Sequence, residues 1–232
     1  MIRWYMKCAF MSRSDEGTIL VVVAHPDDET IGAGGTIRRH VDQGVKVDVH
    51  CITGNEVRNE ELKAACGILG ARNLYLSERD DFAIGEELIN EVVGAILKSQ
   101  PTIVITHHSS DYNRNHQQCA MIVNQAVEWA SHKTIFDNAH RVERIYNMEI
   151  NTMISRPNVH VDITESYSVA LAALKKHVSQ VKKADLYYTQ FYDARTRLRG
   201  VQANCKRAEA FAITLPEHVG PFYEKNSVNR LI

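Results

Sequence analysis

The chain has 232 residues, which is enough to bury a substantial core. Its 27 Lys and Arg residues balance 28 Asp and Glu residues, so it lacks the global basic excess of a nucleic-acid-binding protein. Five cysteines, none in a CxxC pair, argue against a disulfide scaffold or a thiolate zinc site and fit a reducing compartment. We therefore expect a cytoplasmic protein without a nucleic-acid partner.

The N-terminal segment is expected to lie outside the core. It lacks the continuous apolar region of a secretory signal, and no apolar run in the chain reaches the length of a membrane span. Residues 1–16 are predicted to be peripheral or disordered, and Met11 is a candidate for the natural start. Because there is no internal repeat or linker, we expect one domain over residues 1–232.

The first half of the chain alternates between predicted strands and helices. Continuous apolar, β-branched runs such as TILVVVA and TIVIT are typical of strands buried on both faces. The predicted order is a strand at Thr18–Ala24, a helix at Thr30–Gln43, a strand at Val45–Ile52, a helix at Glu60–Leu69, a short strand at Leu74–Leu76, a helix at Glu86–Lys98, a strand at Thr102–Thr106 and a helix at His116–Trp129.

The last third of the chain continues the mixture of elements. It holds strand-like segments at Val142–Ile150 and Asn158–Ile163, a helix from Thr164 to about Lys182, a helix at Tyr187–Arg199 and a final strand at Ala208–Ile213. The alternation predicts an α/β, Rossmann-like three-layer sandwich with a mostly parallel central sheet. Sites in such sheets form at the C-terminal ends of the strands, where two polar clusters of this chain are expected to meet.

The first polar cluster is the turn His25-Pro26-Asp27-Asp28-Glu29, directly after the first strand. Hydrolytic metal sites need neutral imidazole and carboxylate ligands. Pro26 stiffens the turn, so that His25 and Asp28 can point the same way while Asp27 faces a metal-activated water. The simpler alternative is that the acidic residues only cap the next helix, with Glu29 the best candidate for that role.

The second polar cluster follows the TIVIT strand and runs from His107 to His116. Its ten residues include three His, one Asp and two Asn, and loops in this position usually carry function. His116 opens a helix, which fixes its direction and makes it the natural third metal ligand. His107 and His108 are expected to be ordinary polar loop residues.

A long stretch of this sequence resembles one known family. The string Ala24 to Glu29, continued by Ile31-Gly32-Ala33-Gly34-Gly35-Thr36-Ile37, is similar to the signature of the LmbE-like / PIG-L family of zinc-dependent N-acetylglucosamine deacetylases. Further similarity covers Arg58, Glu61, Ala65–Gly70, Val159–Thr164 and the closing Ala208-Glu209-Ala210-Phe211. The segments around Ile145–Ile150 and Gly200 resemble the bacterial carbohydrate-deacetylase branch in particular.

The resemblance implies an activity and a role for individual residues. It implies Zn²⁺, or another divalent metal, held by His25, Asp28 and His116, with Asp27 as general base and later as proton donor to the amine. It implies a small-molecule or glycan-linked N-acetylglucosamine-type substrate that loses acetate, and a homo-oligomer. Substrate contacts carry over to Arg58 and to an acidic residue of the Asp80–Asp81 stretch, for which we take Asp81.

The chain departs from the family pattern before the third ligand. Asn113 replaces a His that stabilises the tetrahedral intermediate in some members, and Asn115 stands where Asp is usual. We expect Asn113 to keep the catalytic contact with the oxyanion and Arg114 to contact substrate. Two alternatives stay open, namely a non-catalytic or regulatory sugar-binding protein with a degenerate site, and a metal-dependent hydrolase of another amide or ester.

Overall fold

The structure is a computed structural model that describes residues 17–183 and 187–214. Within these ranges seven strands form one sheet: β1 Thr18–Val23, β2 Lys46–Cys51, β3 Asn73–Tyr75, β4 Ile103–His107, β5 Arg144–Met148, β6 Val159–Asp162 and β7 Ala208–Thr214. The helices are α1 Asp28–Asp42, α2 Glu56–Leu69, α3 Glu86–Ser99, α4 Arg114–Ala130, α5 Tyr167–Leu174, α6 Val178–Lys183 and α7 Tyr187–Gln202.

The sheet has the strand order β3-β2-β1-β4-β5-β7-β6. The first five strands in this order pair in parallel, and β7 is antiparallel to both of its neighbours. Helices α1, α2, α5 and α7 pack against one face, and α3 and α4 pack against the other. The predicted α/β sandwich with a mostly parallel central sheet is therefore confirmed.

Strand β1 shows why the apolar runs form the centre of the sheet. Ile19, Val21 and Val23 lie in the core cluster of one face, and Leu20 and Val22 lie in that of the other. A strand whose successive side chains are buried on both faces has no polar position, and this explains the continuous apolar run.

Several predicted boundaries differ from the structure. Helix α2 begins at Glu56 instead of Glu60, because the side chain of Asn55 caps it by accepting from the backbone N–H of Arg58 at 3.1 Å. Helix α4 begins at Arg114 instead of His116, since Asn113 is its N-cap. The expectations for residues 1–16 and for Met11 lie outside the described residues.

One predicted helix is wrong. The segment predicted as a continuous helix to about Lys182 forms two helices, α5 and α6, separated by a turn at residues 175–177. His177 closes this turn with its backbone N–H on the carbonyl of Leu174 at 3.1 Å, and its side chain is fully buried. No helix within the described ranges is long and apolar enough to cross a membrane.

Candidate active site

The two polar clusters meet at the point where the strand order changes direction. The chain builds β2 and β3 on one side of β1 and then returns to place β4 on the other side. The C-terminal ends of two such strands leave a crevice between the diverging loops, which is where α/β sheets bind ligands. The turn after β1 carries His25 to Asp28, and the loop after β4 leads to His116.

His25, Asp28 and His116 place three ligand atoms close together. Asp28 Oδ2 lies 3.1 Å from His25 Nδ1 and 3.3 Å from His116 Nε2, and the two nitrogens are 3.3 Å apart. A tetrahedral site with metal–ligand bonds of about 2.0–2.1 Å has ligand–ligand edges of about 3.3–3.4 Å. The observed triangle therefore fits one face of a zinc tetrahedron, and all three residues line the same cavity.

The charges of the triad also suit a cation. Burial alone would raise the pKa of Asp28, but His116 and His107 beside it hold that pKa well below its usual range. Burial would likewise lower the pKa of His116, whereas Asp28 and Asp111 on its two sides raise it to about 10. The geometry thus stabilises positive charge at His116 Nε2, where a metal ion would compete with the proton.

His107 belongs to this centre, and the expectation that it is an ordinary loop residue is wrong. It is the last residue of β4, is fully buried, and stacks on His116 with ring centroids 4.1 Å apart. Its Nε2 accepts from the backbone N–H of Ala24 at 2.9 Å. Burial, together with neighbouring His116, lowers its pKa to about 3, so His107 is a neutral side chain that supports the triad. His108 is a loop residue, as expected.

Asp27 stands beside the triad in a strained backbone conformation. Its φ is 129° and its ψ is −28°, values that side-chain-bearing residues rarely adopt and that cost on the order of 1–3 kcal/mol. Burial and the neighbouring Asp28 raise its pKa to about 7, against the opposing effect of Arg58, whose Nη2 lies 3.4 Å from Asp27 Oδ1. Asp27 occupies the N-cap position of α1 but its side chain makes no capping hydrogen bond, whereas Glu29, the expected capping residue, accepts from the backbone N–H of Asp27 at 3.0 Å.

A cavity of about 170 Å³ opens above these groups. The cavity is lined by six predicted site residues, namely His25, Asp27, Asp28, Arg58, Asn113 and His116. The remaining lining residues are Ile150, Asn151, Gln180 and Tyr188. Asn113 uses its Oδ1 to accept from the backbone N–H of Asn115 at 2.8 Å, so its Nδ2 is the group that can face a ligand.

Two predicted substrate residues lie outside the cavity lining. Asp81 is exposed and accepts from Asn115 Nδ2 at 3.0 Å, while Asn115 Nδ2 also lies 3.2 Å from His25 Nε2. A backbone hydrogen bond from Phe82 and the Asn115 amide lower the pKa of Asp81. Arg114 lies at the start of α4, near Asp81. Their contacts with substrate stay predictions.

Sequence reasoning missed Asn151, Gln180 and Tyr188, which come from distant parts of the chain. It also gave Asp111 no role, although this residue links the elements of the site. Asp111 Oδ1 lies 3.2 Å from His116 Nδ1, and Oδ2 accepts from the backbone N–H of Asn151 at 2.9 Å. The available signal was its position in the polar loop, five residues before a predicted ligand.

Comparison with known proteins places this chain in one family. Residues 20–127 match the PIG-L family model, described as GlcNAc-PI de-N-acetylase. The uncharacterized deacetylase YaiS of Escherichia coli is 32% identical over 181 residues, covering 69% of this chain and 90% of that protein. Diacetylchitobiose deacetylase of Thermococcus kodakarensis is 27% identical over 194 residues, covering 72% of this chain and 71% of that protein.

Two further proteins are similar to this chain, one in its solved fold and one with a different named activity. The structure of N,N'-diacetylchitobiose deacetylase from Pyrococcus horikoshii superimposes with a TM-score of 0.77 at 24% identity, covering 90% of this chain and 88% of that one. A 4-oxalmesaconate hydratase of Pseudomonas putida is 26% identical over 212 residues, covering 79% of this chain and 80% of that protein. The chain belongs to the PIG-L (LmbE-like) family of deacetylases.

Proposed function

We propose that this protein is a metal-dependent N-deacetylase that removes the N-acetyl group from an N-acetylglucosamine-type sugar. The supporting observation is the placement of a buried carboxylate, Asp27, on the same cavity as a compact triad of His25, Asp28 and His116. The T. kodakarensis relative is named for such a substrate, and the cavity wall offers hydrogen-bonding groups of the kind that sugar hydroxyls need.

Zn²⁺ is the proposed cofactor, because the two imidazoles and one carboxylate match its ligand preference. When bound, the metal would act as a Lewis acid toward the acetamide carbonyl and lower the pKa of a water molecule. Asp27 would accept the proton of that water as its oxygen attacks the carbonyl carbon. The C–N bond then breaks, Asp27 returns the proton to the amine nitrogen, and acetate leaves.

Other residues of the cavity would orient these groups. Arg58 donates from Nη2 to the backbone carbonyl of Pro26 at 2.5 Å, and the same group lies 3.4 Å from Asp27. It would therefore hold both the turn and the proposed base. The Nδ2 group of Asn113 would donate to the carbonyl oxygen as negative charge develops there. A homo-oligomer and a cytoplasmic location stay predictions.

An acetate-release screen tests this proposal. The protein, with its metal content measured, is incubated with free, nucleotide-linked, lipid-linked and oligomeric N-acetyl sugars, before and after removal of metal by a chelator. We expect acetate from at least one class, loss of release after chelation, and recovery with Zn²⁺. Absence of acetate from every class with metal bound would contradict the proposal.

The same protein preparation, with its metal content measured, distinguishes two alternative functions. The P. putida relative is a hydratase, so addition of water to an unsaturated carboxylate is the second candidate reaction. A hydratase would release no acetate from N-acetyl sugars. It would instead lower the ultraviolet absorbance of a conjugated unsaturated carboxylate as water adds to the double bond. A degenerate sugar-binding protein, suggested by Asn115, predicts no metal at His25, Asp28 and His116 and neither reaction.

A further inference from the structure

A buried pair of residues, Glu29 and His177, contacts the backbone of Asp27 and has no part in the proposed reaction. Glu29 and His177 are both fully buried, and Glu29 Oε1 lies 3.0 Å from His177 Nε2. A carboxylate only accepts hydrogen bonds, so His177 is the donor in this contact. The two residues are 148 positions apart, one in the first turn of α1 and the other in the turn between α5 and α6.

The second oxygen of Glu29 holds the backbone of the proposed base. Glu29 Oε2 accepts from the backbone N–H of Asp27 at 3.0 Å. This N–H belongs to the residue with φ of 129°, a conformation that persists only when its surroundings fix it. Glu29 Oε1 also accepts from the hydroxyl of Thr30, which is fully buried as well. Glu29 therefore joins His177 to the strained peptide.

The residues that follow His177 in the chain are held by contacts of their own, which fix the position of its backbone. Ser179 donates from its backbone N–H and from its hydroxyl to the carboxylate of Glu61, both at 2.7 Å. Gln180, the next residue, lines the site cavity. The break between α5 and α6 thus places the imidazole of His177 inside the core, the side chain of Ser179 against Glu61 of α2, and the side chain of Gln180 at the cavity.

We propose that His177 and Glu29 are positioning residues that hold Asp27 in its strained backbone conformation and so aim its carboxylate at the reacting water. This inference rests on the proposed function, because it assigns the orientation of Asp27 to a contact outside the cavity. The metal ligands have separate supports, since the backbone N–H of His25 donates to Asp28 Oδ2 at 2.9 Å and Asp111 lies against His116. Loss of the pair should therefore disturb the base and leave the triad in place.

Two substitutions of similar volume test this role. His177→Gln keeps an N–H donor that can reach Glu29, whereas His177→Leu removes the donor. We expect H177L to lower kcat about 30-fold or more with KM within threefold, because a misplacement of about 1 Å can cost about 100-fold in rate. The kcat of H177Q should be at least tenfold higher than that of H177L. The affinity of the metal-free protein for Zn²⁺, measured by calorimetry, should stay within threefold of wild type in both variants.

A matched control separates positioning from general stability. Tyr192 donates to the buried carboxylate of Glu209 at 2.7 Å, and that carboxylate accepts from the backbone N–H groups of Gly35 and Thr36 in the same helix α1. Tyr192→Phe should lower the melting temperature without changing kcat. A crystal structure of H177L should show Asp27 relaxed to negative φ with His25, Asp28 and His116 unmoved.

The outcomes distinguish this inference from the proposed function. Wild-type kcat in folded H177L would overturn the positioning role, even if its melting temperature falls. Should H177L fail to fold, Glu29→Gln takes its place, with the same expected loss of kcat and the same contrary result. Full activity of Asp27→Asn would instead overturn the proposed function itself, whatever the result for His177.

Discussion

His116 lies between two carboxylates, with its Nε2 3.3 Å from Asp28 Oδ2 and its Nδ1 3.2 Å from Asp111 Oδ1. The first contact belongs to the proposed metal triad, and the second fixes the orientation of the imidazole. Asp111 also accepts from the backbone N–H of Asn151, so it holds both a proposed metal ligand and one wall of the cavity. Carboxylates in this position make the imidazole a better ligand.

Asp111→Asn should therefore weaken metal binding. We expect the dissociation constant for Zn²⁺ to rise about 10–100-fold, as is typical when a residue behind a metal ligand is changed. Competition with a chromophoric chelator measures this constant. Asp42→Asn, at an exposed pair with Arg38, is the control and should leave it unchanged. Equal affinities in wild type and D111N would show that the contact with His116 is incidental.

Arg58→Ala should impair catalysis without loss of metal. The substitution removes the donor to the Pro26 carbonyl and the positive charge 3.4 Å from Asp27. We expect kcat/KM to fall about 10–100-fold, in line with the loss of a charge-assisted contact in a buried site. Arg58→Lys should recover part of the activity, because it restores the charge without the forked geometry. Steady-state acetate release measures both, and an unchanged kcat/KM in R58A would exclude a role for this side chain.

Glycine-to-alanine changes on two helices should have opposite effects on stability. A Cβ at Gly35 would lie 2.7 Å from Ile163, where α1 packs closely, whereas a Cβ at Gly67 of α2 would meet no atom within 4 Å. Gly35→Ala should lower the free energy of unfolding by about 1–3 kcal/mol. Gly67→Ala should raise it by about 0.5–1 kcal/mol through helix propensity. Urea unfolding of the two variants decides this, and equal stabilities would contradict the packing described for α1.

The stability of the fold should fall in acid partly through Glu91. His50, whose Nε2 lies 3.3 Å from Glu91 Oε1, and then Arg79, whose Nη2 donates to Glu91 Oε2 at 2.6 Å, lower the pKa of this carboxyl. A lowered carboxyl pKa stabilises the fold above the unfolded value, and this stability is lost as pH falls through the folded value.

The variant Glu91→Gln should accordingly lose about 0.5–1 kcal/mol at pH 7, a modest value because the pair is partly exposed. The difference from wild type should shrink as the pH falls below about 4.5. Unfolding curves at pH 7 and pH 3.5 test this, with Glu60→Gln on the exposed face of α2 as the control. A stability difference between wild type and E91Q that grows in acid would contradict a lowered pKa of Glu91 in the folded protein.

Much of the fold follows from local sequence patterns. The apolar runs of β1 and β4 are buried on both faces, and this is enough to predict a central parallel sheet. The HPDD turn and His116 each follow one of these strands, so their meeting follows from strand order. The metal-ligand roles themselves stay predictions, although the distances in the triad agree with them.

The parts that were not predicted depend on contacts across the chain. At the break between α5 and α6 the side chain of His177 contacts Glu29, and no local pattern marks a partner 148 residues away. His107 was misjudged because its burial depends on the packing of α4 over β4, which brings His116 onto its ring. Gln180 and Tyr188 reach the cavity only through the arrangement of these last helices.

The measurement that tests the central claim most directly is acetate release by Asp27→Asn at known metal content. We predict that this variant binds Zn²⁺ as wild type does, because His25, Asp28 and His116 are retained, and that its kcat falls at least about 1,000-fold, since a general base contributes about 100–10,000-fold. Wild-type activity in D27N with metal bound would contradict the account.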